Sequence, residues 1–219
     1  MIRGVAACAA WIALAAAPAR AHYLWIEPGG DGHSLYFGEY DEKLHESSPG
    51  RLDEMPAPRA WTLRDGKRVA VDARRGASGF AIAVPRGAAV LAEETGYSVR
   101  DWTANGIGVA KPMFYARHAA DPGAVEASLA LDVVPQGSFE KLAVVFDRQP
   151  LAKTKLTLFA PNGWSREHHT AADGSVAVRL PWPGMYVAEV IHLERVAGDF
   201  QGKAYQLRRH RATLSFEKR

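Results

Sequence analysis

The chain has one cysteine, Cys8, and it lies within the first twenty residues. Beyond that point there is neither a thiol nor a possible disulfide. Thiol catalysis is therefore excluded downstream, and stability must come from a buried core, which a chain of 219 residues is long enough to build. Net charge is also scarce: 27 Lys and Arg against 24 Asp and Glu leave +3. Without a strong cationic excess there is little to displace counterions, so no nucleic-acid partner is expected. Long hydrophobic runs are missing after the N-terminus, and no later window approaches ~18 consecutive apolar residues. The sequence also lacks G-x-S-x-G, H-E-x-x-H, a P-loop and a dinucleotide fingerprint. The one adjacent acidic pair in a strand-like stretch, Glu93-Glu94, points to opposite faces. The chain is not expected to be an enzyme.

What is present begins with a leader. Arg3 is followed by an apolar run from Val5 to Ala17, and Ala19-Arg20-Ala21 has the small-x-small form of a cleavage site. The segment 1–21 therefore reads as a signal peptide, which places the protein in the periplasm or outside the cell. Cleavage after Ala21 makes His22 the first residue of the mature chain. Such a histidine offers two nitrogen donors, the imidazole and a free α-amine. The amine's pKa, near ~7.7–8.0, lets a borderline metal displace its proton at neutral pH.

The remainder reads as all-β. Short runs rich in β-branched and aromatic residues are punctuated by turn signals. His22–Glu27 and Ser34–Tyr40 flank Gly29-Gly30-Asp31-Gly32 as an N-terminal hairpin, and Ala60–Leu63 and Arg68–Asp72 flank Asp65-Gly66. Residues 41–58 read as a surface loop with a helical turn near Glu42–Glu46. Gly96–Gly108 reads as a second loop anchored by Tyr97 and Trp102. Val109–His118 is extended, with Pro112 arguing against a central position. Asp121-Pro122-Gly123 marks a boundary between an N-terminal β-rich region, 22–124, and a C-terminal region, 125–219. In the latter, strands recur every ~8–12 residues around Pro161-Asn162-Gly163, Asp173-Gly174 and Pro183-Gly184. The block from Asp173-Gly174 through Pro183-Gly184-Met185-Tyr186 resembles immunoglobulin-like or prealbumin-like β-sandwich modules, a likeness that bears on fold and not on function.

Eight histidines are the main chemical resource: His22, His33, His45, His118, His168, His169, His192 and His210. His168 and His169 are adjacent and diverge in a strand. His192 and His210 sit on strands that can neighbour each other, so their imidazoles can meet across a sheet. With His22 they would supply an amine and three imidazoles, a donor set suited to nickel, cobalt or copper. His118 is a reserve ligand, and the basic run around His210 also reads as a solvated strand end. The acidic residues Glu39, Asp41, Glu42 and Glu46 form a charged lip that can close over His22.

The motifs Ala21-His22-x-x-Trp25-Ile26-Glu27-Pro28, Tyr36-Phe37-Gly38-Glu39, Gly50-Arg51-Leu52-Asp53 and Arg211-Ala212-Thr213-Leu214 resemble an uncharacterised family of bacterial periplasmic proteins once filed under a nickel-transporter label. The resemblance spans nearly the whole mature chain and implies a metal-binding accessory, with His22 at the family's starting histidine. A pore would need several membrane helices, so the expected partners are a divalent transition metal and a membrane uptake system that some other chain forms. The competing expectation is a carbohydrate- or protein-binding module without metal, presenting Trp25, Tyr97, Trp102 and Trp164 as an aromatic platform.

Overall fold

The structure, a computed structural model, describes residues 22–30 and 32–219; the expected leader lies outside them. The described residues are all-β. In chain order the strands are β1 (Tyr23–Gly29), β2 (Gly32–Glu39), β3 (Leu44–His45), β4 (Arg59–Arg64), β5 (Lys67–Val71), β6 (Ala73–Arg75) and β7 (Phe80–Ile82). There follow β8 (Val90–Glu94), β9 (Arg100–Asp101), β10 (Val109–Ala119), β11 (Leu131–Ser138), β12 (Lys141–Phe146), β13 (Gln149–Pro150) and β14 (Lys155–Phe159). The last are β15 (Ser165–His169), β16 (Ser175–Ala177), β17 (Gly184–Glu194), β18 (Gly198–Phe200), β19 (Lys203–Tyr205) and β20 (Leu207–Lys218). The expected helical turn near Glu42–Glu46 is not formed. Residues 44–45 pair with the end of β2 instead, and the helical structure in this loop is a 3-10 turn at Arg51–Glu54.

Three of the sheets stack as layers. A nine-stranded sheet forms the middle, in the order β15-β14-β17-β20-β10-β8-β4-β5 with β9 paired to the start of β10. One face of it is covered by the sheet of β1, β2, β3, β6 and β7, and the other by β11, β12, β13 and β16. Alternation along β10 serves both layers. Phe114 and Ala116 join the core shared with Leu24, Ile26, Leu35 and Phe37, whereas Tyr115 and Ala119 join the core shared with Leu131, Val133 and Leu142.

The boundary expected at 124/125 falls between β10 and β11, and the middle sheet is continuous across it. β10 pairs with β20 in parallel over ten register positions. Both strands are covered on both faces, which is the usual situation for parallel pairs. Pro112 is thus in a central strand, contrary to expectation. It falls in the gap between the pairings of β10 with β9, at residues 109–110, and with β8, at residues 114–118. A residue without an N–H is tolerated there. The buried Lys111 ammonium spans this gap, donating to the carbonyls of Thr95 and Tyr97, both at 2.6 Å.

Candidate functional site

His22 is held in place by the middle sheet. The odd-numbered residues of β20 face β1, and three of them donate, at two-residue steps, to two carbonyls of β1 and to that of His22 just ahead of it. Ser215 Oγ donates to Ile26 O, Thr213 Oγ1 to Leu24 O at 2.7 Å, and Arg211 Nη1 to His22 O at 3.2 Å. The imidazole then packs on Phe37, with ring centroids 5.3 Å apart.

Two glutamates close on the ring. Glu39 ends β2. Glu46 follows β3 and is fixed by its backbone N–H, which donates to Phe37 O at 2.8 Å. Gly38 makes this approach possible. Its φ is 150°, and a Cβ there would lie 2.0 Å from the carbonyl oxygen of Leu44. His22 Nε2 is hydrogen-bonded with Glu46 Oε1, and Arg51 Nη1 lies 3.2 Å from the same nitrogen. His22 Nδ1 faces Glu39 Oε1 at 3.4 Å, and among the described residues neither atom has a hydrogen-bond partner although both are buried. Buried polar atoms that lack a hydrogen bond are costly and uncommon. Of the acidic lip, Glu39 and Glu46 therefore reach His22. Asp41 accepts instead from Tyr23 Oη at 3.1 Å, and Glu42 is exposed.

The other expected ligands are not brought to His22. His192 and His210 do meet, directly opposed across β17 and β20 with ring centroids 6.2 Å apart. They lie on the far face of the middle sheet, because even-numbered residues of β20 point away from β1. His210 is already engaged there, with Tyr115 Oη 3.1 Å from Nδ1 and Glu194 Oε2 3.1 Å from Nε2. Burial holds the pKa of both imidazoles below the usual histidine value. The stretch Arg209–Arg211 is buried, not a solvated strand end. His118 shares the face of His22 but sits at the level of Ser215 and Ile26, four residues along β1, or about 13 Å away. Its neighbours are His33, with ring centroids 5.1 Å apart, and Ser215 Oγ at 3.2 Å. The expected shell of one amine and three imidazoles is therefore not assembled. Among the described residues no group of three or more His, Cys, Asp or Glu is arranged to hold a metal ion.

Beside His22 lies a cavity of about 290 Å³. Phe37, Tyr97 and Phe114 form an aromatic wall, with ring centroids 5.5–5.9 Å apart. Trp102, Arg51, Arg100 and Arg209 complete much of the remaining lining. Arg100 is paired with Glu54, which also accepts from Tyr97 Oη at 2.6 Å. These interactions hold the Glu54 carboxyl below the usual carboxylate range, the Tyr97 bond foremost. The arginines were not singled out by residue type, and Arg209 was hidden in the basic run Arg208-Arg209. The alternation of β20, with Ala212 and Leu214 on the opposite face, is the signal that would have placed it inward.

The aromatic platform does not form. Trp25 and Tyr97 are buried, and the exposed Trp164 packs edge-on against Trp182 at 5.7 Å, on another part of the surface. No helix among the described residues is long and apolar enough to cross a membrane. No family model, no curated protein and no solved structure matches this chain.

Proposed function

We propose that this chain is an exported, extracytoplasmic protein that binds a divalent transition metal, nickel, cobalt or copper, as cargo for uptake or buffering. The site is the processed N-terminus. The observation that supports this reading is that His22 Nδ1 and Glu39 Oε1 are buried, face each other at 3.4 Å, and lack a hydrogen bond among the described residues. The His22 α-amine supplies the third donor once the leader is removed, and it closes a chelate ring with Nδ1. Glu46 on Nε2 fits the same role. A metal-bound imidazole commonly gives its other N–H to a carboxylate, which fixes the ring and raises its basicity. Two nitrogens and one carboxylate suit the borderline divalent ions.

The reading requires a free amine, and that makes it sharply testable. Isothermal titration of the chain beginning at His22 should show nickel or copper binding tighter than about 0.1 mM. A Gly-Ser extension ahead of His22 should weaken it at least tenfold, and Glu39→Gln several-fold. Equal affinity in the extended form, or no binding below that concentration, overturns the proposal. N-terminal sequencing of the exported protein should begin His-Tyr-Leu-Trp.

A further inference from the structure

The cavity beside His22 contains a cation that no described side chain engages by a hydrogen bond or an ion pair. Arg209 is 5% exposed and lines the cavity, with its guanidinium carbon 5.2 Å above the Trp102 ring. Among the described residues that guanidinium makes no hydrogen bond and no ion pair. Glu189, which attracts it electrostatically, is already taken by Arg211. Arg209 shares the face of β20 on which Ser215 and Thr213 donate to the β1 carbonyls of Ile26 and Leu24, and Arg211 to that of His22, just ahead of β1.

A buried guanidinium with five donors and no acceptor is expensive unless a ligand supplies one. Burial and the neighbouring Arg211 hold its pKa down to about 10, still well above neutrality, so the charge persists. Two further cations, Arg51 and Arg100, lie on the same cavity, and Asp101 is the single carboxylate in its lining. Phe37, Tyr97 and Phe114 also line it. A cation stacked on one ring in a cavity lined by three others fits a ligand that is anionic at one end and flat and apolar at the other.

We propose that this cavity is a binding site for a small aromatic carboxylate, its carboxylate held by the Arg209 fork and its ring packed against Phe37, Tyr97 and Phe114. The volume of about 290 Å³ suits a single-ring acid and is at the lower end of small-molecule pockets. The site does not depend on the metal reading, although His22 borders both.

The test uses the chain beginning at His22, stripped of metal on a chelating resin, with benzoate as the probe. Trp102 lies beneath Arg209, so binding should change tryptophan emission, and isothermal titration should give a Kd of about 1 mM or tighter. The neutral isostere benzamide should bind at least tenfold more weakly, and inorganic phosphate likewise. Arg209→Gln should abolish benzoate binding. Arg51→Ser, on the exposed rim, leaves the core untouched and should weaken it two- to fivefold. Trp102→Phe should remove the fluorescence change while calorimetric binding survives. Equal affinity for benzamide, phosphate binding as tight as benzoate, or undiminished binding in Arg209→Gln each overturns the proposal. A failed metal titration alone leaves it standing.

Discussion

Arg117 and Asp132 form a two-bond ion pair, Nε to Oδ1 at 2.9 Å and Nη2 to Oδ2 at 2.6 Å, with both side chains 1% exposed. Arg117 is on β10 and Asp132 on β11, so the pair ties the middle layer to the sheet that follows it. Asp132 also accepts from the backbone N–H groups of Ser128 and Leu129, which fixes the entry to β11. Replacing Asp132 with Ala would leave a buried guanidinium and two N–H groups unpaired. The expected cost is about 3–5 kcal/mol, read as a Tm fall on the order of 10 °C. The double variant Arg117→Met, Asp132→Leu should recover much of this, though not all, because Ser128 and Leu129 still lack an acceptor. A single variant with unchanged Tm would contradict the account.

Acid should destabilise the fold through His118. Burial first, then the neighbouring His33 and Arg86, push its pKa down to about 4, against an ordinary value of 6.5. The unfolded chain therefore binds more protons between these values, and stability falls as pH drops from about 6.5 to about 4. This residue alone accounts for about 3 kcal/mol at most. His33 is shifted in the same direction by burial and adds to the trend. Urea midpoints at pH 7 and pH 4.5 should differ less in His118→Gln than in the parent. Identical pH profiles would remove His118 from the explanation.

Gly38 should matter to the site as much as to the fold. Any side chain at this position meets the Leu44 carbonyl, so Gly38→Ala must move β3 and carry Glu46 away from His22. The expected loss is about 2 kcal/mol, together with weaker metal binding at the processed N-terminus. Gly66→Ala is the control. That residue also has a positive φ, 72°, but its surroundings are open. It should cost about 1–2 kcal/mol and leave metal affinity unchanged. If both variants bind metal equally well, the placement of Glu46 is irrelevant to the site.

The shared middle sheet predicts cooperative behaviour of the two halves. β10 lends one face to each core and pairs with β20 along its length. A fragment ending at residue 124 would expose the edge of β10 and the face that meets β11. It should fail to give a cooperative unfolding transition, while the chain from His22 gives a single one. An independently folding fragment would restore the division into two units.

Local sequence carried a good deal of the architecture. Asp65-Gly66 placed the β4–β5 turn, where both residues have positive φ, and the glycines at 29–32 placed the first hairpin. The opposition of His192 and His210 was legible because two strands with alternating patterns leave only two faces to choose from. Pro112 misled because its tolerance depends on a break in pairing between two other strands. The aromatic platform misled for a related reason: Trp25 and Tyr97 are in positions that a second layer covers.

The sequence by itself determined an all-β chain and its turns, because these depend on neighbours within a few positions. Only the tertiary structure decided which face of β20 meets β1. That single choice put Arg209, Arg211 and His22 on one side of the middle sheet and His192 and His210 on the other. Alternation along a strand fixes which side chains go together, but not which layer will pack on them. That is settled by contacts between residues 189 positions apart.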